Sequence, residues 1–403
     1  MSTSESDIHD YEASRLINKL YCFLGPANVG RALEKHKRSL DLSGFIVREY
    51  TLKHKHPWWN AFIAFFELKK GGKSIKRNLT PEIKMLAADA KRIITLQKFM
   101  PISVQNKYKR DLIDSDSAFN YLFEIHIAWH FYLQGNELQW YEDDGEKHPE
   151  FLVRTPNFNF DVECKKISDD ISRQIKDKDF NQLAQKLLPE IEVQGYGGNV
   201  DIILNGRLYG SQINTLASEI LKLIKSGNVR SKYAVSQGQI SLNLNKRSGK
   251  IVNAIERLRM KSTSGTRAAF LSSRKIGDNF VDPIEISLKS KKPDKVLEGI
   301  YYKVHEAAKN QLNKSMPGII VCFLEGVYDL RDLSSNSGLQ LMTCKLLNKE
   351  ELSHIAGIGY CSEVQIHRFS NSETYDNQAL FFKNPNCKFE EIKTYQFVGN
   401  QIK

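Results

Sequence analysis

The nine residues "NFDVECKKI", Asn159–Ile167, constrain the fold more than any other stretch. Side chains of a β-strand point alternately to opposite faces. Phe160, Val162 and Cys164 therefore share one face, and Asp161, Glu163 and Lys165 share the other. The apolar trio demands a core. The charged trio is either solvated or gathered round a cation and a substrate.

The preceding sequence narrows the choice. "HPEFLV" precedes the turn-rich "TPN", so Pro149–Arg154 and Asn159–Lys166 are expected to form a hairpin. That pairing places Glu150 near Glu163. Like charges so close are costly unless a cation lies between them or one is protonated. Further upstream, "SAFNYLFEIHIAWHFYLQG" is apolar nearly all round and reads as a buried helix over 117–134, ending near Gly135. Its small polar side carries Ser117, Asn120, Tyr121 and Glu124. A carboxylate in such a helix needs a partner, and a metal-site edge or Lys165 would serve.

Charge points to the class of partner. Over residues 51–110, fourteen Lys and Arg face only Glu67, Glu82 and Asp89, an excess of +11 that equals the net charge of the whole chain. Such a concentration suits a polyanion, most simply nucleic acid. No apolar run approaches the roughly 20 residues that cross a bilayer, so no membrane role is expected. The six cysteines form no CxxC pair, and the start is polar and acidic. Reduced, buried thiols in a cytoplasmic protein are the expectation, without a zinc finger or a disulfide framework.

The first third reads as helical, with Thr80, Pro81 and Glu82 as the start of one helix. Trp58 and Trp59 are read as core residues. Short strands follow from about residue 137, then a polar helical stretch at 169–188 and the strand-bearing "GYGGNVDIILNG". Residues 207–290 are read as an elaboration of the core. "GIIVCFLEG" is a continuous apolar run typical of a central strand. Three regions are expected: a basic helical, nucleic-acid-binding domain over 1–112, a core over 113–330, and a C-terminal α/β extension over 331–403.

Helical Glu124, "PEF" at 149–151 and "ECK" at 163–165 resemble the acidic-residue and PD-(D/E)xK pattern of the restriction-endonuclease-like phosphodiesterases. The resemblance implies an α/β fold with a mixed sheet flanked by helices: a helix, a three-strand meander bearing the site, another helix and further strands. Residues 114–206 give that order, and 294–325 would extend the sheet. It implies Mg²⁺-dependent hydrolysis of DNA phosphodiesters, with Mn²⁺ able to substitute, RNA not excluded, and a role in restriction or phage defence. Glu150 and Glu163 would be metal ligands, Lys165 would orient or activate the water, and Glu124 would assist. Glu150 stands where Asp is usual, which changes ligand reach by a methylene; Asp161 is a substitute or extra ligand, about 7 Å from Glu163 along the strand. A non-catalytic nucleic-acid-binding protein with this fold is the alternative. Cutting both strands of a duplex suits a homodimer, although no interface is legible.

Other signals carry less. His126 and His130 have the spacing of a zinc pair but lack the HExxH glutamate, and read as packed core residues. His148 reads as a turn residue. "GYGGN" and "GGKS" fit no phosphate-binding loop.

Overall fold

The computed structural model describes residues 10–42, 56–115, 117–142, 147–168, 170–252, 267–271, 274–276, 279–325, 338–362, 380–395 and 400–402. Ten helices are named in chain order: α1 (Asp10–Leu24), α2 (Pro26–Leu42), α3 (Trp59–Lys70), α4 (Pro81–Leu96), α5 (Ile102–Asp111), α6 (Ala118–Leu133), α7 (Asp177–Val193), α8 (Gly210–Lys225), α9 (Val296–Asn310) and α10 (Gly338–Leu347). The strands are β1 (Glu137–Trp140), β2 (Phe151–Arg154), β3 (Asn159–Ile167), β4 (Tyr196–Leu204), β5 (Arg230–Val235), β6 (Gly238–Lys246), β7 (Ile251–Val252), β8 (Arg267–Leu271), β9 (Arg274–Ile276), β10 (Asn279–Val281), β11 (Ile284–Ser290), β12 (Gly318–Leu324), β13 (Ile355–Ser362), β14 (Leu380–Lys383) and β15 (Asn400–Ile402). The protein is of mixed α/β class.

The chain forms two compact units, one from Met1–Lys37, Lys55–Asp169 and Leu297–Lys403, the other from Arg38–His54 and Asp170–Val296. The first unit holds a mixed sheet of order β1-β2-β3-β12-β13-β14-β15. β1, β2 and β3 form an antiparallel meander; β12 lies parallel to β3, and β13 parallel to β12. β12 is buried along its whole length, as a continuous apolar run in a central strand must be.

One apolar cluster covers a face of this sheet. It joins Phe160, Val162 and Cys164 of β3 with Ile319, Val321 and Phe323 of β12 and with Phe123, Ile127 and Phe131 of α6. Helix α6 stops where expected: Gly135 takes φ +83°, a left-handed conformation that glycine adopts without a Cβ clash. The same cluster continues into Leu16, Ile17 and Leu20 of α1, Phe62 and Phe65 of α3, and Leu86 and Ile93 of α4. Trp58 and Trp59 are buried within it, as read from the sequence. Helix α4 starts as its sequence dictates, with the Thr80 hydroxyl accepting from Ile83 N–H over 3.4 Å.

These contacts redraw the expected boundaries. The helices before residue 112 are not a separate domain, because their apolar faces close the same core as the sheet. Conversely, 207–290 does not elaborate that core. With 170–206 it builds a second sheet of order β5-β6-β4-β11-β8, whose apolar face packs under α7 and α8 in its own cluster. The expected order over 114–206 thus parts from the structure after β3. Helix α7 and β4 belong to the second unit, and the strand beside β3 is β12. The C-terminal strands β13, β14 and β15 do extend the first sheet. Among the described residues no helix is long and apolar enough to cross a membrane.

Candidate active site

The hairpin over 149–166 is present. Phe151 lies opposite Val162 and Leu152 opposite Asp161. Just before β2, Glu150 N–H donates to Val162 O over 3.0 Å, so Glu150 shares Val162 with Phe151, as a bulge residue does, instead of continuing the register. This fixes the Glu150 backbone beside Glu163. On its other flank β3 sets Glu163 opposite Ile320 and Lys165 opposite Cys322. The charged face is therefore not a wet one: Asp161 and Glu163 are both 0% exposed. Lys165 Nζ contacts Glu163 Oε1 and is itself about a quarter exposed.

A cavity of about 460 Å³ opens at this point. Asn120, Phe123 and Glu124 line it from α6, at the i, i+3, i+4 spacing of a single helix face. Glu150 enters from the start of the hairpin, and Cys164, Lys165, Lys166 and Ser168 from β3 and its end. Glu325, just past β12, completes the rim and pairs with Lys166 Nζ at 2.9 Å. Glu163 does not line the cavity; it lies behind it and reaches it through Lys165.

Two residues that the sequence reading missed hold Glu124. The Tyr108 hydroxyl, on α5, donates to Glu124 Oε2 over 2.5 Å. Trp140 Nε1–H, on β1, donates in turn to the Tyr108 oxygen over 3.2 Å. Lys166 and Glu325 were missed as well. Nothing in the local pattern of "NKYKR" or "FLEG" marks these partners, because each contact joins elements remote in sequence.

The electrostatics are those of crowded, dry carboxylates. Burial raises the Glu163 pKa to about 8; the Glu150 charge adds to the rise and Lys165 opposes it. Burial likewise raises Glu150, against the pull of Lys165 and Lys107. Glu124 is raised well above its usual range by burial and then by Glu150, with the Tyr108 hydrogen bond opposing. Burial would lower Lys165, but Glu163 outweighs it and the ammonium is held charged. Glu150 thus disfavours the ionisation of Glu163 and Glu124, and one lysine, Lys165, sits directly on Glu163.

Asp161 is placed differently. The Tyr141 hydroxyl donates to its Oδ1 over 2.5 Å, and the Tyr141 ring stacks on His148 with centroids 5.6 Å apart. Of the expected ligands, Glu150 lines the cavity, while Asp161 and Glu163 both lie behind its lining; Asp161 Oδ2, like Glu163 Oε2, is buried without a hydrogen-bond partner among the described residues. His126 is also structural: its Nε2 lies 3.0 Å from Asp89 Oδ1. His130 lies beside Gln134, 3.0 Å from its amide nitrogen.

Among the described residues no group of three or more His, Cys, Asp and Glu stands arranged as a closed metal site. The fit to a divalent ion rests on Glu163. Its Oε2 is buried without a hydrogen-bond partner, while Oε1 is held by the Lys165 ammonium. A buried carboxylate so poorly satisfied is costly unless a cation completes it. Glu150 stands next to it, and two carboxylates with waters and phosphate oxygens are a common donor set for Mg²⁺. The residues fit such an ion. Comparison with protein-family models, curated proteins and solved structures finds no match to this chain.

Proposed function

We propose that the chain is a metal-dependent endonuclease that hydrolyses DNA phosphodiester bonds, with a restriction-endonuclease-like core. The observation that carries this reading is the hairpin geometry: Glu150 N–H is held on Val162 O, next to Glu163, Lys165 sits on Glu163, and Glu150 and Glu124 line the same cavity. The αβββ order of α6 and β1–β3, with β12 parallel to β3, supports the core. A role against foreign DNA, as in restriction or phage defence, follows from the resemblance of these residues to the PD-(D/E)xK pattern.

Glu150 and Glu163 would hold Mg²⁺, or Mn²⁺ in its place, which when bound neutralises the scissile phosphate and lowers the pKa of water. The chain's own groups do the rest. Lys165 presents its ammonium to the cavity, where it stabilises charge that develops on the phosphate oxygens. Glu124, its Oε2 fixed by Tyr108, offers Oε1 as an acceptor that orients the attacking water. Glu163 keeps Lys165 in place until the substrate phosphate competes for it.

A second reading, a nucleic-acid-binding protein without catalysis, draws on the Lys165–Glu163 contact and the absence of a closed metal cluster among the described residues. Incubating plasmid DNA with the protein and Mg²⁺ or Mn²⁺ separates the two. Nicking or cutting that Glu163→Ala and Lys165→Ala each abolish, with fold and DNA binding retained, supports the nuclease. Binding without cleavage, across metals and DNA forms, supports the second reading.

A further inference from the structure

The second unit has a charge of its own. Residues 170–296 carry 22 Lys and Arg against 12 Asp and Glu, a net +10. This excess is separate from the basic stretch at 51–110 and nearly equals it. Outside these two stretches the chain is net acidic.

Strand register shows where some of that charge faces. Ile240 pairs with Ile202, which pairs with Leu288; Leu242, Val200 and Ile286 form the next row. These rows are buried under α7 and α8. The alternate rows face the opposite way. One runs Lys232, Ser241, Asp201 and Ser287; the next runs Arg230, Asn243, Asn199 and Glu285; a third ends on Lys289 beside Ile203 and Gln239. Arg230, Lys232 and Lys289 are exposed. The acids on this face are not: Glu285 is buried, and Asp201 is half-buried and accepts a hydrogen bond from Ser287 Oγ. Among the described residues of these four strands, every exposed charge on this face is therefore basic. The neutral members, Gln239, Ser241 and Asn243, are hydrogen-bonding side chains.

We infer that this polar sheet face is a docking surface for double-stranded DNA. The inference rests on the nuclease reading for the identity of the polymer, and on the face itself for the mode of contact. A stable protein partner would want an apolar or aromatic centre, and β4, β5, β6 and β11 put only Ala234 and Ile203 there. The same four strands put no aromatic side chain on the face, and the fifth strand, β8, sets Phe270 in the Glu285 row at the far edge from Arg230 and Lys232. Cations with amides and hydroxyls match a phosphate–sugar backbone. The surface contributes affinity and register rather than chemistry.

The test uses the full chain in EDTA, so that cleavage plays no part. Duplex binding is followed by fluorescence anisotropy over a range of salt. Arg230→Glu with Lys232→Glu is predicted to weaken binding by about tenfold or more, and to reduce the slope of log K against log salt by about two. Lys222→Glu with Lys225→Glu, on the exposed end of α8 across the sheet, makes the same charge change and serves as control; it should do far less. Arg230→Gln with Lys232→Gln repeats the test should the reversed pair unfold, as judged by thermal melting. Equal losses in both pairs assign the effect to net charge and overturn the face. So does unchanged affinity and slope in the Arg230/Lys232 variants, or loss of binding to phosphatidylserine vesicles or an acidic protein with DNA binding intact. A wild-type chain that fails to bind duplex at low salt overturns it too. The nuclease reading is judged separately, by the metal-dependent loss of cleavage in Glu163→Ala.

Discussion

Lys165 Nζ lies against Glu163 Oε1, two residues back on the same strand, with Glu163 fully enclosed and Lys165 opening to the cavity. One side chain thus acts both as counter-ion to a buried carboxylate and as part of the reaction chamber. Lys165→Ala is expected to abolish cleavage yet leave the protein folded, because Glu163 can answer the loss by staying protonated. The stability cost should be about 1–3 kcal/mol, that of a lost charged partner to a buried group. Urea denaturation at neutral pH checks it; an unchanged midpoint would mean that the pair contributes nothing to the fold.

The raised Glu163 pKa predicts an unusual pH dependence. Its value of about 8 exceeds the ordinary 4.5, so between those limits the folded state binds more protons than the unfolded chain. Stability of the metal-free protein should therefore fall as pH rises from about 4.5 to about 8. Glu163→Gln should flatten this dependence. Mg²⁺ should raise the melting temperature more at pH 8 than at pH 5, since the ion binds the ionised form. Melting curves at both pH values, with and without Mg²⁺, measure all three effects.

Tyr108→Phe keeps the ring and removes only the hydroxyl that holds Glu124 Oε2. The expected result is a fall in kcat of about 10- to 100-fold, below the roughly 10²- to 10⁴-fold of a full acid–base contribution because Glu124 itself remains, with KM for DNA little changed. The stability change should stay near 1 kcal/mol. A variant with wild-type kcat removes Glu124 orientation from the mechanism.

Asp89 anchors a different network. Its Oδ2 accepts from Trp58 Nε1–H at 2.9 Å, and its Oδ1 pairs with Arg92 Nη1 at 2.9 Å and lies 3.0 Å from His126 Nε2. Burial works against the charged form, but His126, Arg92 and Trp58 outweigh it and hold the Asp89 pKa below its usual value. Asp89→Ala strands a buried arginine and should cost about 3–5 kcal/mol. Chemical denaturation tests this, with Asp89→Asn expected to lose less because the hydrogen-bond geometry survives.

His56 sets the acid limit. It is buried, its Nε2–H donates to Leu112 O over 2.6 Å, and burial lowers its pKa from 6.5 to about 3. The unfolded chain binds the proton more readily, so this contribution is present above pH 6.5 and is lost as pH falls toward 3. His56→Gln should reduce that part of the acid sensitivity, read as unfolding midpoints at pH 7 and pH 4.5.

What could be read in the sequence was local. Alternation in Asn159–Ile167 and the turn at 155–157 were enough to pair β2 with β3, because a hairpin's register is set by its own strands and turn. Thr80 and Pro81 marked a helix start for the same reason. The partner strand of β3 was not legible: β12 lies some 150 residues on, past a complete second unit. That unit looked like an elaboration because its strands alternate polar and apolar residues, a pattern that does not say which helices cover the apolar face. Tyr108 and Trp140 went unread since their roles exist only once α5, α6 and β1 meet. The Tyr141 hydroxyl on Asp161 Oδ1 was likewise not legible, because it joins residues 20 positions apart.

The central claim is that Glu150 and Glu163 converge on one divalent cation. Titrating the metal-free protein with Mn²⁺ and following the free ion by electron paramagnetic resonance tests this without any substrate. The wild type should bind Mn²⁺ in competition with Mg²⁺, and Glu150→Ala and Glu163→Ala should each abolish or strongly weaken that binding. Wild-type affinity in both variants would contradict the claim and remove the basis for a metal-dependent nuclease.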